Sequence, residues 1–269
     1  MNATALQQTH QQTDLRQRYE EQGYVAARQV IDQELVAEGR AHVAWLMKRH
    51  PDLRPENLGH TLLQTDPFWV RLISDDRLLD VAQQFIGPDI ALFASHYIAK
   101  PPRDGQPVLW HQDGSYWPLE PMTVVTLWLA LDDSDAENGC LRVIPHTHTG
   151  GLQEMKPRTE VVNVLGSGMD DHLVDESLAQ DVVLKAGDVS IHHPNIIHGS
   201  NANLSERWRR GLTIRYIPTS TRITAVNFPS AFLLRGSVRS GINQYNARPR
   251  FLPEEHLHFR GCERWNDAL

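Results

Sequence analysis

His111-Gln112-Asp113, followed 87 residues later by His198, constrains the fold of this 269-residue chain more than any other feature. In an extended segment residues i and i+2 face the same way, so His111 and Asp113 can converge on one ion while Gln112 turns aside. The third donor has to arrive from a distant segment. Val189-Ser190-Ile191-His192-His193 resembles a strand entering a turn at Pro194-Asn195, with His198 just beyond it. The fold must therefore lay these two segments side by side. Two imidazoles and one carboxylate make a three-point metal face that leaves other coordination positions open. A bare His-x-Asp tripeptide is a weak signal, and with 14 histidines in the chain most must serve other purposes. His192 and His193 compete for the third position. Their side chains point to opposite faces if the segment is extended, and neither precedes Gly-Ser, which makes them support residues.

The surroundings narrow the reading. Trp110 to Trp117 reads WHQDGSYW and Ile191 to Tyr216 reads IHHPNIIHGSNANLSERWRRGLTIRY, with Arg209 eleven residues beyond His198. A guanidinium is planar, permanently charged and grips a carboxylate through two parallel hydrogen bonds. Arg207, Arg209, Arg210 and Arg215 all lie in this stretch, so chemistry alone leaves the choice among them open. The HQD tripeptide, the His-Gly-Ser and the spaced arginine together resemble the phytanoyl-CoA dioxygenase family of Fe(II)- and 2-oxoglutarate-dependent oxygenases, over roughly Tyr24 to Pro218.

That resemblance implies Fe(II) held by His111, Asp113 and His198, 2-oxoglutarate as cosubstrate, O2 as oxidant and ascorbate as reductant in vitro. It gives the distal carboxylate of the cosubstrate to Arg209, with Arg215 in reserve, and puts Ser200, Trp128, Gln112 and Lys100 around the same pocket. The implied reaction hydroxylates an unactivated C–H bond of a small-molecule substrate while 2-oxoglutarate becomes succinate and CO2. Related halogenases carry a small residue where Asp113 stands, which argues against halogenation. Desaturation, epoxidation or ring formation by the same iron chemistry stays open, as does metal binding without turnover. Hydrolysis at zinc is a further alternative, but it has no use for Arg209 and the chain lacks an HExxH helix. No basic site for a CoA diphosphate is visible, which favours a free small molecule. Tyr116 and Trp117, directly after the metal motif, are candidate walls of the substrate site. Where the family has Pro-Gly-Ser-His after its Cys-Leu-Arg-Val-Ile segment, this chain has Pro145-His146-Thr147-His148. His146 is thus a candidate contact for a polar or anionic substrate group.

Along the chain the pattern changes from helical to extended. Met1–Thr13 reads as a mobile tail and Asp14–Gln22 as a short helix ended by Gly23. Tyr24–Ile31 reads as a strand. Asp32 caps a helix over Gln33–Arg49 with Leu35, Val36, Gly39, Val43, Leu46 and Met47 as its apolar stripe, and a second helix covers Asp76–Ile86 before Gly87-Pro88. Short strands follow at Ile90–Ala99, Val108–His111, Thr123–Leu131, Cys140–Ile144, Val182–Leu184, Val189–His192 and Gly211–Ile217. Many short strands with turn residues between them argue for a jelly roll. The expected fold is mainly β with flanking helices, a double-stranded β-helix of cupin-like type, in a single domain over 1–269. Within it 14–89 supplies helices and one strand, 90–218 the core and 219–269 a C-terminal extension. Thr147–Gln180 reads as a long connection over the barrel mouth. The tail Ile223–Leu269, with Asn243, Arg248, Arg250, His256 and His258, is expected to fold back over the mouth or to make a homo-oligomer contact.

Composition excludes other classes. With 41% hydrophobic residues the chain is long enough for one large core. Its formal charge of 26 minus 33, or -7, gives no basic stripe for nucleic acid. Cys140 and Cys262 cannot build a disulfide framework. The first 23 residues show no basic stretch ahead of an apolar core, and no apolar run approaches membrane-spanning length. A reducing cytoplasm is the expected setting.

Overall fold

The computed structural model describes residues 15–228 and 231–268; the expected tail over 1–13 and the start of the first helix lie outside them. Helix α1 covers 15–22 and stops at Gly23, whose φ of 81° suits a residue without Cβ and whose N–H bonds the Tyr19 carbonyl at 2.8 Å. Helix α2 is Gln33–Arg49, capped by the Asp32 carboxylate, which accepts from Leu35 N at 2.8 Å. Helix α3, Pro67–Ile73, was not expected: every residue but Arg71 is buried, so PFWVRLI has no amphipathic period to read. Helix α4 is Asp76–Ile86, capped by Asp75 and closed by Gly87 at φ 84°.

Ten strands of three or more residues follow one another among the described residues. They are β1 (Tyr24–Ala27), β2 (Ile90–Tyr97), β3 (Val108–His111), β4 (Val125–Ala130), β5 (Leu141–Ile144), β6 (Gln180–Val182), β7 (Val189–His192), β8 (Ile197–Ser200), β9 (Gly211–Pro218) and β10 (Phe232–Arg235). One sheet has the order β1-β7-β4-β9-β2-β10 and the other β3-β8-β5-β6, with all pairings antiparallel. Trp128 and Ala130 of the first sheet pack against Leu141, Val143 and Val182 of the second, which is the expected jelly roll.

Two strands were missed. β8 is four residues behind a proline turn, and β10 lies in the C-terminal extension, where it adds an edge to the larger sheet. β1 ends sooner than expected. Gln29 sits at φ 51° with its N–H on the Asp188 carboxylate, and the N–H groups of Val30 and Ile31 both reach the Gly187 carbonyl, which turns the chain out of the sheet. The extension packs against the rest of the chain at two places. Phe251 and Phe259 join the core around α2 and α3, while Ile223, Phe228 and Tyr245 pack beside Trp117.

Strand alternation sorts the larger sheet. Val125, Leu127, Leu129, Val189, Ile191, Leu212, Ile214 and Tyr216 belong to the core shared with α2, α3 and α4. The residues between them, Thr126, Trp128, Ser190, His192, Thr213 and Arg215, are buried on the opposite face, toward the smaller sheet. Of these, Trp128, His192, Thr213 and Arg215 line an interior cavity. No described helix is long and apolar enough to cross a membrane.

Candidate active site

β8 runs antiparallel to β3 with His198 directly opposite His111, so strand pairing brings the distant histidine to the motif. Asp113 opens a short 3-10 turn instead of continuing the strand, yet Gln112 is extended at φ -117° and ψ 121°, and Asp113 arrives on the same side as His111. One donor atom from each of His111, Asp113 and His198 lies within 4.8 Å of the others, and all three residues are buried. His111 Nδ1 is 2.8 Å from the Leu109 carbonyl and His198 Nδ1 is 3.0 Å from that of Ile196. A carbonyl only accepts, so each Nδ1 is the donor and each Nε2 is left for the cavity. Burial, and then the neighbouring His111, push the His198 pKa well below its ordinary value, which keeps the ring neutral. Burial alone would raise the Asp113 pKa. Arg215, His111 and His192 outweigh it and hold the carboxyl well below the usual range.

Arg209 lies at the other end of the cavity, 2% exposed, with its guanidinium 5.1 Å from the Trp128 ring centre. Its Nε and one terminal nitrogen are buried with no hydrogen-bond partner. Burial lowers its pKa from 12.5 to about 10, so the group is cationic at neutral pH. Ser200 lines the same cavity, and Lys100 reaches Ser200 Oγ at 2.7 Å from behind. Lys100 and Arg209 exchange both backbone hydrogen bonds, at 2.9 and 3.0 Å. Burial, and then Arg209, push the Lys100 pKa well below its ordinary value. Gly211 makes the arrangement possible: a Cβ there would lie 2.0 Å from the Trp128 indole.

Other expected site residues stand elsewhere. Gln112 does not line the cavity; its amide donates to the carbonyls of Asn195 (2.7 Å) and Gly151 (3.3 Å) and accepts from Gln153 N (2.8 Å), so it ties three loops together. His146 is a correction as well. It is exposed, at φ 68°, and its Nδ1 bonds the Glu21 carbonyl at 2.9 Å while His148 Nε2 bonds that of Glu20 at 3.0 Å. The two imidazoles satisfy carbonyls that the end of α1 leaves without helical partners. Tyr116 stands at the rim, 41% exposed, its hydroxyl 2.7 Å from Ser167 Oγ. Trp117 lies under Arg215, whose guanidinium carbon is 5.4 Å from the indole centre.

The connection over 147–180 does reach the mouth. Val164 N bonds the Pro107 carbonyl and Met169 N that of Trp110, at 3.0 and 2.8 Å, and Leu165 lines the cavity. His192 also lines it, with neither ring nitrogen hydrogen-bonded and Nε2 3.7 Å from Asp113 Oδ2. Sequence reasoning overlooked His60 and His96. Their link to Arg215 depends on the register of β2 against β9, which no local pattern reveals.

The fold and site together describe a jelly-roll β-protein with a candidate His-Asp-His metal face at one end of its cavity and a buried arginine with two unpartnered nitrogens at the other. The phytanoyl-CoA dioxygenase (PhyH) family model matches residues 19–211, and the chain belongs to that family. Phytanoyl-CoA dioxygenase domain-containing protein 1 of Bos taurus is 32% identical over 177 residues, covering 64% of this chain and 60% of that protein. The probable alpha-ketoglutarate-dependent hypophosphite dioxygenase of Stutzerimonas stutzeri is 30% identical, covering 54% of this chain and 51% of that protein. The match thus spans about half to three fifths of these relatives' length. Among solved structures, the apo non-heme monooxygenase ThoJ superposes with a TM-score of 0.75 at 23% identity, covering 95% of this chain and 94% of that one, a likeness of fold.

Proposed function

We propose that this protein is a non-haem Fe(II)- and 2-oxoglutarate-dependent dioxygenase that hydroxylates an unactivated C–H bond of a small molecule, releasing succinate and CO2. The observation that carries the reading is Arg209: a buried guanidinium with two unpartnered nitrogens in the same cavity as the three-donor face. A hydrolytic zinc site has no need of it. The donor set fits ferrous iron, with two imidazole nitrogens and a carboxylate held ionised. When bound, iron with 2-oxoglutarate and O2 supplies the oxidising power that side chains lack.

The chain's residues bind, orient and exclude water. His111, Asp113 and His198 hold the metal; Arg209, set by Trp128, takes the distal carboxylate, with Ser200 beside it and Lys100 fixing Ser200. Leu165 and Trp117 keep solvent from the reacting centre. The purified protein with Fe(II), ascorbate, 2-oxoglutarate and a panel of small molecules should form succinate in step with one hydroxylated product. Label from 18O2 should appear in that product. Iron-independent turnover would refute the reading, and a product lacking label with matching succinate would replace hydroxylation by desaturation or ring closure.

A further inference from the structure

Six residues beyond Arg209, Arg215 lines the same cavity at its metal end and is 8% exposed. A guanidinium has five N–H groups. Its Nη1 donates to His96 Nδ1 at 2.7 Å and to Thr213 Oγ1 at 3.0 Å. A guanidinium has donors and no acceptor, so His96 Nδ1 must be the acceptor and its Nε2 must carry the ring proton. That proton faces His60 Nδ1 at 2.9 Å. The three side chains form one directed chain, and the guanidinium lies over the Trp117 indole, 5.4 Å from its centre.

This orientation leaves donors unused. Nη2 is 3.5 Å from Asp113 Oδ1, an ion pair too long for a good hydrogen bond, and Nε is buried with no partner at all. Asp113 is the sole anion among the cavity-lining residues, facing two cations, Arg209 and Arg215. With Arg209 balancing the distal carboxylate of 2-oxoglutarate, and Asp113 and the second carboxylate together balancing a divalent metal, Arg215 remains a buried cation with no counter-charge, an arrangement that is costly unless a ligand completes it.

We propose that Arg215 anchors an anionic group of the substrate, a carboxylate, with His96 and His60 as positioning residues. The assignment rests on the dioxygenase reading for the roles of Asp113 and Arg209. It makes the substrate a small free acid whose oxidised carbon lies close to its carboxylate, because the anchor and the metal ligand Asp113 are adjacent.

The test uses protein loaded with Ni(II), which supports no turnover, with and without 2-oxoglutarate. C4 to C8 carboxylic acids, each with its methyl ester, are titrated and followed by calorimetry. At least one acid should bind at least about tenfold more tightly than its ester, the effect of a lost charge-assisted hydrogen bond. Arg215→Gln should abolish the preference, and Arg209→Gln should weaken 2-oxoglutarate instead. If Arg215→Gln does not fold, Arg215→Lys decides: it keeps the preference for acid over ester but binds about tenfold more weakly, since one ammonium cannot reach His96 and the ligand together. A panel with no preference for acids, a preference surviving in Arg215→Gln, or unchanged acid affinity in Arg215→Lys overturns the proposal. Failure of the wild type to bind 2-oxoglutarate overturns the dioxygenase reading instead, and the acid–ester comparison without 2-oxoglutarate is read independently.

Discussion

The two ends of the cavity are finished to different degrees. At the metal end His111 and His198 are already oriented by backbone carbonyls, and Asp113 is flanked by His111, His192, Thr126 and Arg215 within 3.5 to 3.7 Å. At the far end Arg209 is equally buried but keeps two donor atoms without partners. The three-donor face is a receptor whose order is built in by strand pairing; Arg209, like Arg215 Nε beside Asp113, is complete only with a ligand. Substitutions at the two ends should therefore fail in different ways.

The largest effect belongs to the metal end. His111→Ala, Asp113→Ala and His198→Ala should each abolish iron-dependent turnover and bound iron while circular dichroism stays native; wild-type activity in any of them would end the metal assignment. Arg209→Ala should raise the KM for 2-oxoglutarate at least about tenfold with little change in metal content. If Arg215→Ala does this and Arg209→Ala does not, the two arginines are assigned the wrong way round.

Stability sharpens the contrast further. Gln112→Ala removes the bonds that join three loops and should cost about 1–3 kcal/mol in denaturant melts without altering the KM for 2-oxoglutarate. Arg209→Met in the metal-free protein should instead raise Tm, by roughly 2–4 °C for each 1 kcal/mol recovered, because a buried unpaired charge is removed. The smallest effect is a slope. Burial, then His148, lowers the His193 pKa to about 4. The unfolded state therefore takes up a proton near pH 6.5 that the folded state refuses. Stability of the metal-free protein should fall as pH drops from about 6.5 toward 4, and His193→Asn should flatten the decline.

The three-donor face was the legible part. His111, Asp113 and His198 announce themselves by donor type, and α2, α4, β3 and β7 by period and caps, because those signals are local. Arg209 was singled out only through the family spacing, with Arg215 unresolved beside it. What escaped is set by pairing or backbone shape. α3 has no polar face, β8 has four residues, and the His60–His96–Arg215 chain exists only once β2 and β9 are in register. Gln112 and His146 were misplaced for the same reason. A residue type in a motif does not tell which way its loop turns, and the left-handed φ at His146 sends the imidazole to the end of α1.

Gly211 carries a consequence for anyone who would evolve this protein. Its missing side chain is the space in which the Trp128 indole lies beneath Arg209. Positions 128 and 211 are consequently one heritable unit: a side chain at 211 is tolerated only with a smaller residue at 128, and a combinatorial library should show strong epistasis between them. Libraries aimed at new substrates would do well to freeze this pair and vary Leu165 and Tyr116 at the mouth, which are 39% and 41% exposed.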